Sequence, residues 1–295
     1  MILEDFHPAI LHAGKVEQFS GWNYHEVSSP FARLYCITEG CASLRIAGRT
    51  YQLRPGHLYI VPPFTRHDNI CDAPFTHYYI HFYEDNSSAE FSGSIFDRYD
   101  FPVEVPSRDI DRLMFSRIVE MHPTLSLDEL DPDSYNDKVP LIRNISSDSG
   151  RALSLRMESQ GAMLFLMSRF LCHARPRRYA EDERVQRAIS YIFSNLSDPD
   201  MDVETLSREA CLSVNQFIRA FRKHTGMTPL KFMTAKRMER AQLLLLEKDL
   251  GNKDLAYAVG YEDPAYFCKV FRNTVGIPPQ QYKSKAFPAS VSRRD

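Results

Sequence analysis

A unit of two short helices joined by a tight turn occurs twice in the second half of this sequence, and this repeat constrains the fold most. In the downstream copy, residues 255–283, apolar residues recur at helical spacing up to Gly260, and Pro264 opens a second helical stretch. The upstream copy, residues 206–229, carries matching residues in the same order, and both copies end in a G-x-x-P sequence. Tandem copies are far less expected by chance than a single one, so the second half is predicted to be an all-α domain.

The pattern of each unit is that of a helix-turn-helix, whose second helix enters the major groove of DNA. In the upstream unit, Phe217 and Phe221 form an inward stripe, whereas Arg219 faces outward. The formal net charge of −2 hides an asymmetry, because acidic residues exceed basic ones in residues 1–176 and basic residues exceed acidic ones in residues 177–295. A basic second half favours binding to phosphates.

A longer helix connects the two units. Pro229 begins it, and apolar periodicity continues to about Lys248. About 20 residues with a rise of ~1.5 Å each give ~30 Å, close to the ~34 Å between successive major grooves on one side of a duplex. One chain can therefore place both recognition helices on the same side of DNA.

The first half has a different pattern. Between about Ala32 and Tyr83, short segments of β-forming residues alternate in polarity and are separated by Gly and Pro, which predicts an antiparallel barrel or jelly roll. The segment 53–67 resembles the second half of the cupin barrel signature. Helical periodicity returns in residues 108–122 and 151–173. The stretch between these helices, rich in Asp, Ser and Pro, is predicted to be a loop.

The interior of such a barrel can hold a metal ion or a small molecule. Metal-binding cupins carry a His-x-His pair and a Glu, whereas here His25 stands alone, so neither a metal nor another cofactor is expected. Mixed aromatic and polar residues on neighbouring strands favour a small polar ligand such as a sugar. The alternative is that several of these rings simply fill the barrel. The candidate ligand-binding residues are Trp22, Tyr24, His25, Arg33, Tyr35, His67, His77, Tyr79 and His81.

The second half resembles the AraC/XylS family of bacterial transcription regulators. The motifs that carry the resemblance lie at residues 237–245, 255–261 and 266–283. Cys211 stands where the first unit of the family usually has a turn glycine. The first half resembles the cupin-type effector domain of sugar-responsive members, which implies ligand contacts at His77, Tyr79 and Asn69.

The family's base-reading residues are carried over position by position. They fall on Asn215, Ile218 and Arg219 in the first unit and on Ala265, Cys268 and Lys269 in the second. The remaining candidate DNA-binding residues are Gln216, Arg222, Lys236 and Arg272. Arg219 is the best candidate for a specific guanine contact, worth ~1–3 kcal/mol of discrimination. The second unit has less base-reading chemistry and is expected to depend more on phosphate binding.

The predicted fold class is α+β multidomain. We expect a cupin barrel in residues 1–107, a helical dimerisation region in 108–174, a linker in 175–183 and a DNA-binding domain in 184–285. The resemblance implies a regulator that is not an enzyme and that activates carbohydrate-utilisation genes. Its expected partners are promoter DNA, a carbohydrate effector, a second copy held through the helix 151–173, and RNA polymerase.

The location is expected to be cytoplasmic, because no apolar run approaches the ~20 residues of a membrane span. The six cysteines contain no C-x-x-C pair, so neither a zinc site nor a disulfide framework is predicted. Two alternatives remain open. One is a metal-dependent cupin enzyme tethered to DNA, and the other is a constitutive regulator whose barrel serves only dimerisation.

Overall fold

A computed structural model describes residues 6–84, 94–132, 150–247 and 250–286. These residues form two compact units. The first contains residues 6–84, 99–132 and 150–175, and the second contains residues 94–98, 176–247 and 250–285. The α+β fold class is confirmed, because antiparallel sheets dominate the first unit and the second is helical.

Two antiparallel sheets make up the barrel of the first unit. A five-stranded sheet has the order β1-β8-β3-β6-β10, and a four-stranded sheet has the order β2-β7-β4-β5. The strands are β1 Pro8–Phe19, β2 Tyr24–Val27, β3 Ala32–Glu39, β4 Ala42–Ile46, β5 Arg49–Leu53, β6 His57–Val61, β7 His67–Ile70, β8 Phe75–Glu84, β9 Tyr99–Asp100, β10 Glu104–Pro106 and β11 Arg175–Pro176. The short strands β9 and β11 pair with each other.

The core of the barrel is formed by residues from both sheets. Tyr35 and Tyr79 come from the larger sheet, Leu44 and Leu53 come from the smaller one, and all four are buried in one cluster. Because successive side chains of a strand point to opposite faces, each strand contributes alternate residues to this interior. The inward-facing residues therefore follow directly from the strand register.

Two helices pack against each other in the first unit, α2 Asp109–Met121 and α3 Gly150–Leu171. A four-residue helix, α1 Ile95–Arg98, precedes them in the chain and belongs to the second unit. The apolar face of α3 is buried within the first unit through Ala162, Met163, Leu166, Met167 and Phe170. The predicted loop between these helices begins with a 3₁₀ turn, Pro123–Leu125, and its residues 133–149 lie outside the described part of the chain.

Seven helices follow in the described part of the second unit. They are α4 Glu183–Ser194, α5 Val203–Glu209, α6 Val214–Thr225, α7 Pro229–Glu247, α8 Asn252–Ala258, α9 Pro264–Val275 and α10 Pro279–Ala286. Aspartate side chains cap the start of α4, α5 and α9. Asp202 Oδ1 accepts from Thr205 N at 2.7 Å, and Asp263 Oδ1 accepts from Ala265 N at 2.8 Å. Within the described residues, no helix combines the length and the apolar character that a membrane span requires.

Candidate functional site

The two helix-turn-helix units are formed by α5 with α6 and by α8 with α9. Each second helix turns a pair of phenylalanines into the core, Phe217 and Phe221 on α6 and Phe267 and Phe271 on α9, all fully buried. This packing fixes which side of each helix faces solvent, since residues three and four apart share a face. The exposed candidate residues are Asn215, Gln216, Arg219 and Arg222 on α6 and Ala265, Lys269 and Arg272 on α9.

Three candidate positions on these helices have local constraints. The side chain of Gln216 forms a capping box with Ser213, whose hydroxyl donates to Gln216 Oε1 at 2.8 Å. Gln216 therefore helps to begin α6 as well as lying on its exposed side. Ile218 and Cys268, which occupy equivalent places in the two helices, are half-buried.

Lys236 lies in a different environment from the DNA contact expected from the sequence. Its Nζ is 2.8 Å from Asp97 Oδ1 on α1 and 2.8 Å from Glu239 Oε2. It also lies over the ring of Phe193, 5.7 Å from the centroid. Burial acts to lower the pKa of Lys236, but the charges of Asp97 and Glu239 hold it above its ordinary value. The amino group of Lys236 is thus enclosed in an ion-pair cluster. In the same cluster, the hydroxyl of Tyr179 donates a hydrogen bond to Asp97.

The turns of the two units differ in how tightly they are packed. Gly260 has φ +79°, and a Cβ at this position would lie 2.8 Å from Arg237 Nη2 and 2.9 Å from Leu196 O. Arg237 is held there by donating from Nε to Leu196 O at 3.0 Å. The equivalent residue of the first helix-turn-helix, Cys211, has φ 54° and is exposed. Only the second turn therefore requires glycine for space as well as for backbone conformation.

The candidate ligand-binding residues lie mostly on the inward faces of the two sheets. In the larger sheet, Arg33 pairs with His81 and Tyr35 pairs with Tyr79, so all four side chains share one face. His77 continues this row on β8 and contacts Trp22, Tyr35, Phe75 and Tyr79 through its ring. The smaller sheet contributes His67 and Asn69 from β7, both buried. Trp22 is buried and Tyr24 half-buried at the margin of the same core.

His25 does not join this group. Its side chain is 71% exposed, and its Nδ1 lies 3.7 Å from Asp68 Oδ1. The pairing of β2 with β7 is irregular between Tyr24 and Val27, and Glu26 has φ 53°. This irregularity breaks the alternation on which an inward position for His25 depends.

One inward-facing histidine, His12 on β1, was not identified from the sequence. Its Nδ1 is 3.3 Å from His81 Nδ1, and its ring contacts Phe31. In the sequence, the inward position of His12 is indicated only by its alternation with Gly14 and Val16. A shift of register between Ile10 and His12 interrupts this alternation.

Three of the buried histidines, His67, His77 and His81, are neutral near pH 7. Burial, followed by the charge of Arg33, lowers the pKa of His67 to about 4. Burial alone lowers the pKa of His77 to about 3. Burial and then Arg33 also hold the pKa of His81 well below its ordinary value. The interior therefore contains the uncharged imidazoles of His67, His77 and His81 beside the guanidinium of Arg33.

The hydrogen bonds of His67 determine its tautomer. Its Nδ1 lies 2.9 Å from the carbonyl oxygen of Thr65, which can only accept, so Nδ1 carries the proton. In the neutral ring, Nε2 is then a lone-pair acceptor, and it is buried without a hydrogen-bond partner. Asn69 Oδ1 and His77 Nδ1 are buried and unpartnered as well. Such atoms are uncommon in a folded interior, and a bound water or ligand is one of the ways in which they are satisfied.

Tyr79 is fixed from two sides. Its ring lies so close to the backbone of β1 that a Cβ on Gly14 would be 2.5 Å from the Tyr79 hydroxyl oxygen. That hydroxyl accepts a hydrogen bond from Leu127 N at 2.8 Å. Leu127 and Leu130 pack against the same core, so the chain following the 3₁₀ turn covers part of the barrel interior.

No group of three or more His, Cys, Asp or Glu side chains is arranged to hold a metal ion in the part of the chain that the structure describes. The contacts of the buried imidazoles are of other kinds. His67 is bonded to a backbone carbonyl, His77 stacks on the ring of Phe75, and His81 stacks on the ring of Phe31.

Two family models match the chain. One, described as a helix-turn-helix domain, matches residues 206–285, and the other, described as an AraC-like ligand binding domain, matches residues 9–130. The chain belongs to the AraC family. The two matches correspond to the repeated helical units and to the barrel, respectively.

Relatives of this AraC-family chain match it over different lengths. The arabinose operon regulatory protein of Escherichia coli is 29% identical over 103 residues, 35% of this chain and 35% of that protein. An uncharacterized HTH-type transcriptional regulator of Haemophilus influenzae is 36% identical over 103 residues, 35% of this chain and 34% of that protein. The chain thus spans about a third of the length of these relatives. The lactose operon transcription activator of Staphylococcus xylosus is 22% identical over 273 residues, 89% of this chain and 86% of that protein.

Among solved structures, the DNA-binding domain of AdpA in complex with a target DNA is 28% identical to this chain. The match covers 38% of this chain and 98% of that one, with a TM-score of 0.34.

Proposed function

We propose that this AraC-family chain is a sequence-specific DNA-binding transcription regulator controlled by a small molecule that binds inside the barrel. The observation that carries the proposal is the pair of helices α6 and α9. Each is anchored by two buried phenylalanines and presents polar and basic side chains on the opposite side. Exposed cationic and amide groups on a recognition helix contact base edges and phosphates.

The two helices differ in the chemistry that they present. On α6, Asn215 and Arg219 can form bidentate hydrogen bonds with adenine and guanine, respectively. On α9, Ala265 and the half-buried Cys268 offer no such pairing, and Lys269 and Arg272 supply mainly positive charge. In this proposal α6 reads sequence, whereas α9 chiefly anchors the chain to the phosphates.

The effector is proposed to be a carbohydrate and the effect to be activation of carbohydrate-utilisation genes in the cytoplasm. Support comes from similarity to proteins named as regulators of arabinose and lactose operons. The inward mixture of aromatic rings and unpartnered polar atoms fits a ligand with hydroxyl groups and apolar faces. Activation implies a contact with RNA polymerase.

A homodimer is proposed through α3, as the sequence suggested, but on its outer side. The inner side packs within the first unit, whereas Leu153 and Met157 are 58% and 67% exposed. They lie four residues apart and so share one helical face. Leu113 on the neighbouring α2 is 53% exposed. Exposed apolar groups of this kind commonly mark contact surfaces.

The DNA-reading role is tested with a site selected from a random DNA library and a scrambled version of it. Fluorescence anisotropy gives the ratio of the two affinities for the wild type and for Arg219→Ala. Loss of a bidentate guanine contact should reduce this ratio by ~5- to 150-fold.

The matched control is Arg187→Ala, which removes an exposed arginine from α4, outside both recognition helices. We expect its ratio to equal that of the wild type. An Arg219→Ala variant that retains the wild-type ratio would show that this residue does not read bases.

A further inference from the structure

We infer that α1 is a docking segment through which the barrel and the DNA-binding unit are coupled, and that the ion pair between Asp97 and Lys236 holds it in place. Release of α1 should weaken DNA binding and destabilise the barrel at the same time. The inference deepens the proposed function, on which it rests for the control of DNA binding by the barrel. It identifies the element of the chain through which this control passes.

The helix α1 belongs to one unit of the structure, while its neighbours in the chain belong to the other. It lies between β8 and β10, which are both strands of the barrel, yet residues 94–98 belong to the second unit. Besides the connection at residues 175–176, the chain therefore passes between the units at residues 98–99. The first half of the chain contributes a piece of the DNA-binding unit.

Polar contacts hold α1 on the second unit. Asp97 Oδ1 accepts from Lys236 Nζ on α7 at 2.8 Å and from the hydroxyl of Tyr179 at 3.3 Å. The side chains of Asp97 and Lys236 are only 16% and 17% exposed, so salt and water screen their attraction less than that of a surface pair. Breaking such a pair leaves a charge uncompensated in the interior. The ion pair is therefore sensitive to any movement of α1.

The formation of α1 depends on its docking. Four residues make a single helical turn, and the first turn of a helix is unfavourable in isolation. Ile95 and Phe96 are buried, and Arg177 N donates to Arg98 O at 2.7 Å. Burial of these two side chains and the contacts of Asp97 compensate for ordering the turn. The segment thus has two states, docked as a helix or released from the second unit.

The docked state should be favoured by a folded barrel. Val103 O accepts from Ile60 N at 2.9 Å, which continues the pairing of β10 with β6, and residues 99–102 connect this point to α1. When the barrel unfolds, α1 is linked to residue 176 through the unfolded chain 99–175. Closing a loop of this length costs additional conformational entropy. By reciprocity, docking of α1 stabilises the barrel.

The docked state should also favour DNA binding. Lys236 lies on α7, the helix that connects the two helix-turn-helix units, and its Nζ lies over the ring of Phe193 on α4 at 5.7 Å. Asp97 therefore holds a side chain that joins α4 to α7. This fixes one arrangement of the helices that carry α6 and α9. DNA that binds this arrangement more tightly shifts α1 towards the docked state.

Two charge reversals in the full chain test the coupling. Asp97→Lys and Lys236→Glu both replace the attraction by repulsion, but the first makes the chain more positive and the second makes it more negative. We expect each to weaken binding to the selected DNA site by ~10-fold in fluorescence anisotropy, with an unchanged ratio of selected to scrambled affinity. The double variant restores an opposite-charge pair and should recover most of the affinity.

The barrel provides the second readout, through the urea midpoint of Trp22 fluorescence. Neither reversal alters a residue of the barrel, yet each should lower this midpoint by ~0.3 M or more, and the double variant should restore it. Addition of the selected DNA should raise the midpoint of the wild type but not that of Asp97→Lys. If Asp97→Lys does not fold, Asp97→Asn replaces it, since it removes the charge at nearly constant volume and should act in the same direction.

The matched control is Glu183→Lys, which reverses one charge of an ion pair with Arg178 elsewhere in the second unit. Both side chains are largely exposed, at 71% and 64%, so this pair contributes little to stability. DNA affinity and the Trp22 midpoint should both stay close to the wild-type values.

Two results would overturn the coupling. A lower midpoint by circular dichroism with an unchanged Trp22 midpoint would show that α1 only completes the packing of the second unit. Opposite changes of DNA affinity in Asp97→Lys and Lys236→Glu would show that net charge, rather than docking, determines the effect. The ratio of affinities measured with Arg219→Ala does not depend on α1, so it tests the regulator function independently.

Discussion

Adding a single methyl group at the turn of the second helix-turn-helix should be strongly destabilising. Gly260 has φ +79°, a backbone conformation that costs an L-residue ~1–2 kcal/mol. A Cβ there would also lie 2.9 Å from the backbone oxygen of Leu196 and 2.8 Å from Arg237 Nη2. Arg237 cannot move freely, since its guanidinium donates to Leu196 O and Asp198 O. Overpacking of this kind adds ~1–3 kcal/mol.

Gly260→Ala is therefore expected to lower the free energy of unfolding of the second unit by ~2–5 kcal/mol. Gly226→Ala is the matched control, because Gly226 has φ +78° and no atom lies within 4 Å of the position that its added methyl group would occupy. Gly226→Ala should lower the free energy of unfolding only by the cost of the left-handed backbone conformation, ~1–2 kcal/mol. The entropy that alanine removes from the unfolded chain affects both variants alike and cancels in their difference.

Urea unfolding followed by far-UV circular dichroism measures both variants, because the second unit is helical. The fluorescence of Trp22, the single tryptophan, reports on the first unit separately. Equal losses for Gly260→Ala and Gly226→Ala would refute the argument that Arg237 and Leu196 leave no room at this turn.

Three further results are expected. Lys236→Met should destabilise the second unit by ~3–5 kcal/mol, because Asp97 and Glu239 lose their buried counter-charge. The same variant should leave the salt dependence of DNA binding unchanged. A shallower slope of affinity against salt concentration would instead show that Lys236 contacts a phosphate. Gly14→Ala should lower the urea midpoint of Trp22 fluorescence by displacing Tyr79, and an unchanged midpoint would contradict this. Acid should destabilise the barrel. The pKa values of His67 and His77, about 4 and about 3, lie below the unfolded value of 6.5, so stability is complete above pH 6.5 and is lost as pH falls. At about pH 5 the loss is ~2 kcal/mol for each of these two histidines, and His77→Phe should remove its own share of the loss in urea titrations.

The helical unit could be predicted closely because its signals are local. In the sequence, Ser213 at a capping position predicts a helix over Val214–Thr225, and these are the bounds observed for α6, which Gly226 ends in a left-handed conformation. The alternating segment Ala42–Ile46 between Gly40 and Gly48 likewise predicts a strand with the bounds observed for β4. Turn glycines and strict alternation mark its ends and its two faces.

Features that depend on irregular pairing or on distant contacts could not be predicted. The twelve-residue strand β1 has two shifts of register, so its alternation is broken and its inward His12 was missed. The environment of Lys236 depends on Asp97, which lies 139 residues earlier in the chain. Helical periodicity along α7 cannot show that a remote acidic residue encloses the amino group of Lys236.

The arrangement of the two recognition helices provides the most direct test of the regulator function. The helix α7 that connects the units has 19 residues, and a rise of ~1.5 Å per residue gives it a length of ~28 Å. This length is close to the spacing of successive major grooves on one side of a duplex, ~34 Å or ~10 base pairs. Selection of binding sites from a random DNA library by the full chain, followed by sequencing, measures this spacing. We predict two enriched tracts whose centres lie ~10 base pairs apart, with Arg219→Ala removing the preference in only one of them. Enrichment of a single tract, or of none, would contradict the conclusion that both helix-turn-helix units bind DNA.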